Sequence, residues 1–336
     1  MAPMKIDIFN HILPKQVFER MREVAPQIPI LHSFDHLPEL WDVDAHLRLM
    51  DGYDDYQQVL ALSNPPIEML GSADVTPTLA RLANDGLAAI CKAHPDHFPA
   101  FIASMPMNNP EAAVKEANRA VNELGARGIQ VFTNVLGKPL SAPEFYPLFE
   151  TMARHDLPVW VHPMRGPNFS DYATESASED EIWFTFGWPY ETSACVTRLI
   201  FSGLFDKLPN LKVITHHMGG MIPFFSQKIA LGFSQIFDGE TDRNPAAEKA
   251  GLKKPLLDYY RMIYADTATN GSSAAARCGL DFFQADHCVF ATDAPFDSRG
   301  GRHLIGGTIK AIDDLGLNAI DREKIYEGNA RRLLRL

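Results

Sequence analysis

Leu157–His162 reads LPVWVH and Leu211–His217 reads LKVITHH. Each is a short run of apolar, β-favouring residues without polar alternation, and each ends on histidine. A strand that alternates buries one face. A strand apolar throughout is buried on both, the condition of parallel strands covered by helices. Six further strand-like runs occur, most of them also near-continuously apolar: Met4–Phe9 (MKIDIF), Gln57–Ser63 (QQVLALS), Phe98–Met105 (FPAFIASM), Gly128–Thr133 (GIQVFT), Met262–Thr267 (MIYADT) and His287–Thr292 (HCVFAT). Helix-like segments separate them. Asn109-Pro110 precedes EAAVKEANRAV, with Asn as N-cap and Pro at the first helical position. Thr76-Pro77, Pro143 and Pro189 open three others, Gly203 can close the last of these, and Asp321 reads as the cap of REKIYEGNARRLL.

Eight such strands with helices between them, over 336 residues, predict an α/β protein, a single-domain (β/α)8 TIM barrel spanning 1–336. An open doubly wound sheet is the alternative, and no GxGxxG follows the first strand to support it. Two polar stretches, 166–188 and 238–254, read as loop insertions at the C-terminal mouth, either lids or plain solvated loops.

Composition narrows the function. Hydrophobic residues make up 46% of the chain, enough for a large core and against disorder. The net charge of −11, with no basic stripe, argues against a nucleic-acid partner. No signal or membrane-spanning segment is visible, so a soluble cytoplasmic protein is expected. Cys91, Cys195, Cys278 and Cys288 form no CxxC pair and read as free thiols.

The polar residues at strand ends carry the chemistry. His11 follows the first run, His162 ends the fifth, His216 and His217 end the sixth, and Asp293 follows the eighth. In a parallel barrel all strand C-termini open on one mouth, so these residues converge there. A lone histidine is more often structural, and His32, His36, His46, His94, His97, His155, His287 and His303 are read so. Several histidines and an aspartate at strand tips are hard to explain as packing, because buried charge is costly unless paired or metal-bound.

The segments around these residues resemble a known family. IDIFNHILP (6–14), WD (41–42), RLMD (48–51), QVLALS (58–63), VHP (161–163), WPYET (188–192), LPNLK (208–212), HHMGG (216–220), ATDAPF (291–296) and GNARRLL (328–334) match, in order, motifs of the amidohydrolase-2 family. The branch is the one of aminocarboxymuconate-semialdehyde decarboxylase and the hydroxybenzoate decarboxylases. The resemblance implies a (β/α)8 barrel with one divalent metal, zinc or manganese, held by His11, His162 and Asp293. It implies His217 as an acid–base group or an additional ligand, with Asp293 as the other candidate catalytic group, and leaves His216 packed or supporting a ligand. Strand alternation sends His216 and His217 in different directions.

One departure matters. Phe9 stands at the first position of the family's HxH, and phenylalanine cannot ligate a metal. Either three protein ligands remain, with or without His217, and the vacated place belongs to water or substrate, or metal affinity has fallen so far that the protein works without metal or has lost the activity. Arg165, three residues after His162, is placed to grip a substrate carboxylate or to pair with an acidic residue of 166–188. Glu191 supports a ligand or favours its helix N-terminus. Among Phe9, Trp183, Phe184, Trp188 and Phe296, Phe9 and Phe296 are read as an aromatic wall for the substrate.

The expected activity is a metal-dependent, non-oxidative decarboxylation of a small aromatic or unsaturated carboxylic acid. The alternatives are a hydrolase of a lactone, amide or C–C bond on the same scaffold, and a metal-free binding protein. The expected partners are a small carboxylated substrate and further copies of the chain as a homodimer or higher homo-oligomer, with neither nucleic acid nor membrane.

Overall fold

The structure, a computed structural model, describes residues 3–233 and 244–336. All eight predicted strand regions form strands: β1 (Lys5–Ile12), β2 (Tyr56–Leu62), β3 (Ala100–Phe101) with β4 (Ala103–Ser104), then β5 (Ile129–Phe132). After a small antiparallel hairpin of β6 (Asn134–Val135) and β7 (Lys138–Pro139) follow β8 (Val159–His162), β9 (Val213–Thr215), β10 (Tyr264–Asp266) and β11 (Cys288–Val289). The ladders β1–β2–β3 and β4–β5–β8–β9–β10–β11 are parallel throughout. Ile102, between β3 and β4, still donates its N–H to Leu60 O, so the third strand is one path interrupted in its ladder. Closure comes where β11 meets β1: Ile8 N–H donates to Phe290 O, Asp293 N–H to Phe9 O and His11 N–H to Ala294 O. The result is the (β/α)8 barrel.

Two buried layers hold it. Ile6, Ile8, Phe9, Val59, Ala61, Trp160, Ile214, Tyr264, Val289 and Ala291 belong to the inner cluster, and a larger cluster lies between strands and helices. Strands buried on both faces therefore need both pleat faces apolar, as the sequence has them.

Several local expectations shift. The first strand runs on to Ile12, so His11 lies inside it rather than after it. Asn109 does cap its helix, its Oδ1 accepting from Ala112 N. Asp321 does not: Asn318 Oδ1 accepts Asp321 N–H, and the helix Ala319–Glu323 starts at the residue after Asn318. The helix predicted from Pro189 begins earlier and spans Gly187–Phe201, Pro being tolerated in its first turn.

The insertions part company. Stretch 166–188 ends against the barrel centre, with the Trp188 ring centre 5.3 Å from that of His162. Of 238–254, positions 238–243 lie outside the described residues. The rest is held elsewhere than at the mouth: Asn244 Nδ2 donates to Ile229 O, and Lys253 N–H bonds Asp206 Oδ2 and Tyr259 Oη. Asp206 and Tyr259 belong to helices that precede β9 and β10, so this stretch is tied to the outer helical layer rather than folded over the centre. All four cysteines are free thiols. Among the described residues, no helix is long and apolar enough to cross a membrane.

Candidate active site

The strand tips bring three donor groups together. One ligand atom each from His11, His162 and Asp293 lies within 4.8 Å of the others. His11 Nε2 stands 2.8 Å from Asp293 Oδ1. His162 Nδ1 donates to Pro163 O at 2.6 Å, which fixes the ring and leaves the Nε2 lone pair for another partner. Burial, with the neighbouring His216 and His11, holds His162 well below the usual imidazole range and so keeps it neutral. Two imidazoles on strands β1 and β8 and a carboxylate just beyond β11 are a donor set that fits a divalent cation.

Asp293 sits in the left-handed region at φ 64°, four residues beyond β11. Asp7 holds the backbone that leads to it. The Asp7 carboxylate accepts the N–H groups of Phe9 and Thr292 and the hydroxyls of Tyr56 and Thr292. Burial raises Asp293, but His11 and His217 outweigh it and bring the carboxyl well below its ordinary value.

His216 and His217 defeat the alternation rule. β9 ends at Thr215, and His217 takes φ 56°, a conformation uncommon for a non-glycine residue. The turn keeps both imidazoles on the barrel side. His217 Nε2 lies 3.5 Å from Asp293 Oδ2. His216 is fully buried, and its Nδ1 lies 2.5 Å from Asp266 Oδ2. Asp266 Oδ1 accepts the His217 N–H at 2.8 Å, so one carboxylate positions both histidines. Burial acts to lower His217, yet the Asp293 carboxylate outweighs it and shifts the imidazole upward, toward the protonated form.

The aromatic predictions divide. Phe296 stacks at a tilt beside His11, ring centres 5.1 Å apart. Phe9 is completely buried, edge-on to His11 at 4.6 Å and against His216 at 3.5 Å. It packs the floor of the site and offers no open wall to a substrate, because the position points into the barrel interior. Phe132 and Trp188 flank His162 at 5.0 and 5.3 Å instead. Arg165 pairs neither with solvent alone nor with the acidic stretch 166–188: its Nη1 donates to Glu191 Oε1 at 3.3 Å, and Phe169 lies under the guanidinium. Glu191 is thus a partner of Arg165, half-buried and raised by that burial.

Asp266 and Asp7 escaped the sequence reading as functional positions. Both left a signal, an acidic residue inside an otherwise apolar strand run, where a charge needs several hydrogen bonds to persist.

Residues 6–336 match the amidohydrolase family Amidohydro_2. The chain belongs to that family. It is 31% identical over 300 residues to the gamma-resorcylate decarboxylase of Polaromonas sp. (strain JS666 / ATCC BAA-500), covering 87% of each chain. It is 26% identical to the 2-amino-3-carboxymuconate-6-semialdehyde decarboxylase of Dictyostelium discoideum, covering 99% of this chain and 92% of that one. Among solved structures, a dihydroxybenzoic acid decarboxylase from Polaromonas sp. JS666, with bound manganese and the inhibitor 2-nitroresorcinol, superposes with a TM-score of 0.82 at 28% identity over 100% of this chain and 98% of that one. Family membership agrees with the barrel and makes the chain an enzyme.

Proposed function

We propose that this enzyme is a metal-dependent, non-oxidative decarboxylase of a small aromatic carboxylic acid. The observation that carries the reading is the convergence of His11, His162 and Asp293 within 4.8 Å, with His217 beside Asp293. The decarboxylase names of the relatives support the reaction class.

His11, His162 and Asp293 would hold one divalent ion, manganese or zinc. When bound, such an ion supplies Lewis acidity and orients the substrate's oxygens. The chain's own residues do the rest. Asp293 lies beside His217, and its charge shifts that imidazole upward, toward the protonated form. His217 then delivers its proton to the ring carbon that bears the carboxylate. Cleavage of the C–C bond returns its electron pair to the ring and releases CO2, so no bare carbanion forms. Asp293 is the other candidate donor; His11 and His217 draw it toward its ionised form, which favours His217 in the role. Arg165, held in place by Glu191 and by the Phe169 face, directs its guanidinium as a clamp for an anionic substrate group. Phe296 and Trp188 border the substrate's ring.

The test is turnover of γ-resorcylate and related hydroxybenzoates by protein loaded with manganese or zinc, in water enriched in ¹⁸O. CO2 release with no ¹⁸O in the aromatic product is expected. Product carrying ¹⁸O, with no CO2, would reject the lyase in favour of a hydrolase. Protein that takes up neither metal would reject the metal-dependent reading altogether.

A further inference from the structure

Phe9 takes a ligand's place in the family motif, and the ring packed against it is that of His216, with centres 3.5 Å apart. His216 is 0% exposed, and its ring centre is 5.3 Å from that of His162. Its Nδ1 donates to Asp266 Oδ2 at 2.5 Å. Asp266 cannot drift, because its other oxygen accepts the N–H groups of His217 and Ala268. With the proton fixed on Nδ1, Nε2 carries a lone pair, and that buried Nε2 has no hydrogen-bond partner. A buried acceptor without a partner is costly unless something else takes its lone pair. A carboxylate holding one ring nitrogen while the other faces a metal is the usual support of a histidine ligand.

We propose that His216 Nε2 is a fourth protein ligand of the metal, supplying from β9 the nitrogen that Phe9 cannot supply from β1. The proposal rests on the metal site described above. Nε2 is not one of the three atoms already gathered, so ligation would draw those donors and the ion toward an imidazole that Asp266 keeps in place.

The experiment counts nitrogens. Zinc-loaded wild-type protein, studied by X-ray absorption fine structure, should show three imidazoles, and His217→Ala should keep all three. His216→Ala should drop to two and bind zinc at least about tenfold more weakly in competition with a chromophoric chelator. The double variant Phe9→His/His216→Ala should regain three imidazoles and the lost affinity. Two imidazoles in the wild type, or an unchanged shell and affinity in His216→Ala, would overturn the assignment while leaving the three-ligand site standing. If His216→Ala fails to fold, the wild-type and His217→Ala counts decide alone: three in both supports the assignment, and two in either overturns it. A wild type that binds no zinc would overturn both the assignment and the metal-dependent reading beneath it.

Discussion

Glu68 is 3% exposed, and its Oε1 has no hydrogen-bond partner. Burial pushes its carboxyl up to about 8 from 4.5. Between those values the folded chain holds a proton that the unfolded chain releases, so stability falls as pH rises across the window and the loss is complete above about 8. The effect is on the order of a few kcal/mol. Glu68→Gln removes it: thermal melts from pH 5 to 9 should show the variant gaining on the wild type as pH rises, and parallel curves would contradict the buried, uncompensated carboxyl. His217 gives the second prediction at this scale. His217→Asn should lower kcat by about 10²–10⁴-fold, the usual contribution of a general acid. Metal content measured by mass spectrometry should stay as in the wild type, as the proposed role of proton donor rather than ligand requires. Loss of metal together with activity would reassign it.

At the scale of the element, the segment from β9 to the following turn decides where two histidines point. Gly220 takes φ 64°, and a Cβ there would lie 2.5 Å from Pro189 O. Pro189 belongs to the helix Gly187–Phe201, so the glycine lets the histidine turn pack against the helix that carries Glu191. Gly220→Ala should therefore cost about 1–3 kcal/mol, read from urea unfolding, through backbone strain and displacement of the turn. Asn109→Ala tests an ordinary helix end by the same measurement. Loss of the bond from Ala112 N to Asn109 Oδ1 should cost about 1 kcal/mol with no change in metal content.

For the whole molecule, the seam between the last strand and the first is the point where a failure would spread. Asp7 bridges it, with Thr292 N–H and Oγ1 on one side and Phe9 N–H and Tyr56 Oη on the other. Asp7→Ala leaves these donors buried without an acceptor and should cost about 3 kcal/mol or more. It should also weaken metal binding, because the seam positions both His11 and Asp293. A variant with wild-type stability and metal affinity would show that the backbone bonds across the seam suffice alone.

The strands were legible because burial on both faces leaves a local mark, an unbroken apolar run, and β8 and β9 bear it plainly. His11, His162 and Asp293 were legible because a parallel barrel sends every strand end to one mouth, a consequence of topology that needs no distances. What strand period cannot predict is a residue whose backbone leaves the period. His217 turns back toward Asp293 through a positive φ, and alternation would have sent it outward. Nor can one segment reveal a partner supplied by another: Arg165 meets Glu191 across 26 positions, His216 meets Asp266 across 50, and Asp7 meets Thr292 across 285. The chain by itself thus determined the barrel and the residues that crowd its mouth, since both follow from the order of apolar runs and what stands at their ends. Only the tertiary structure decided which carboxylate holds which imidazole, and that Phe9 is floor rather than wall, because hydrogen bonds and ring contacts depend on side-chain direction and on separations of a few ångströms that close only when distant strands meet.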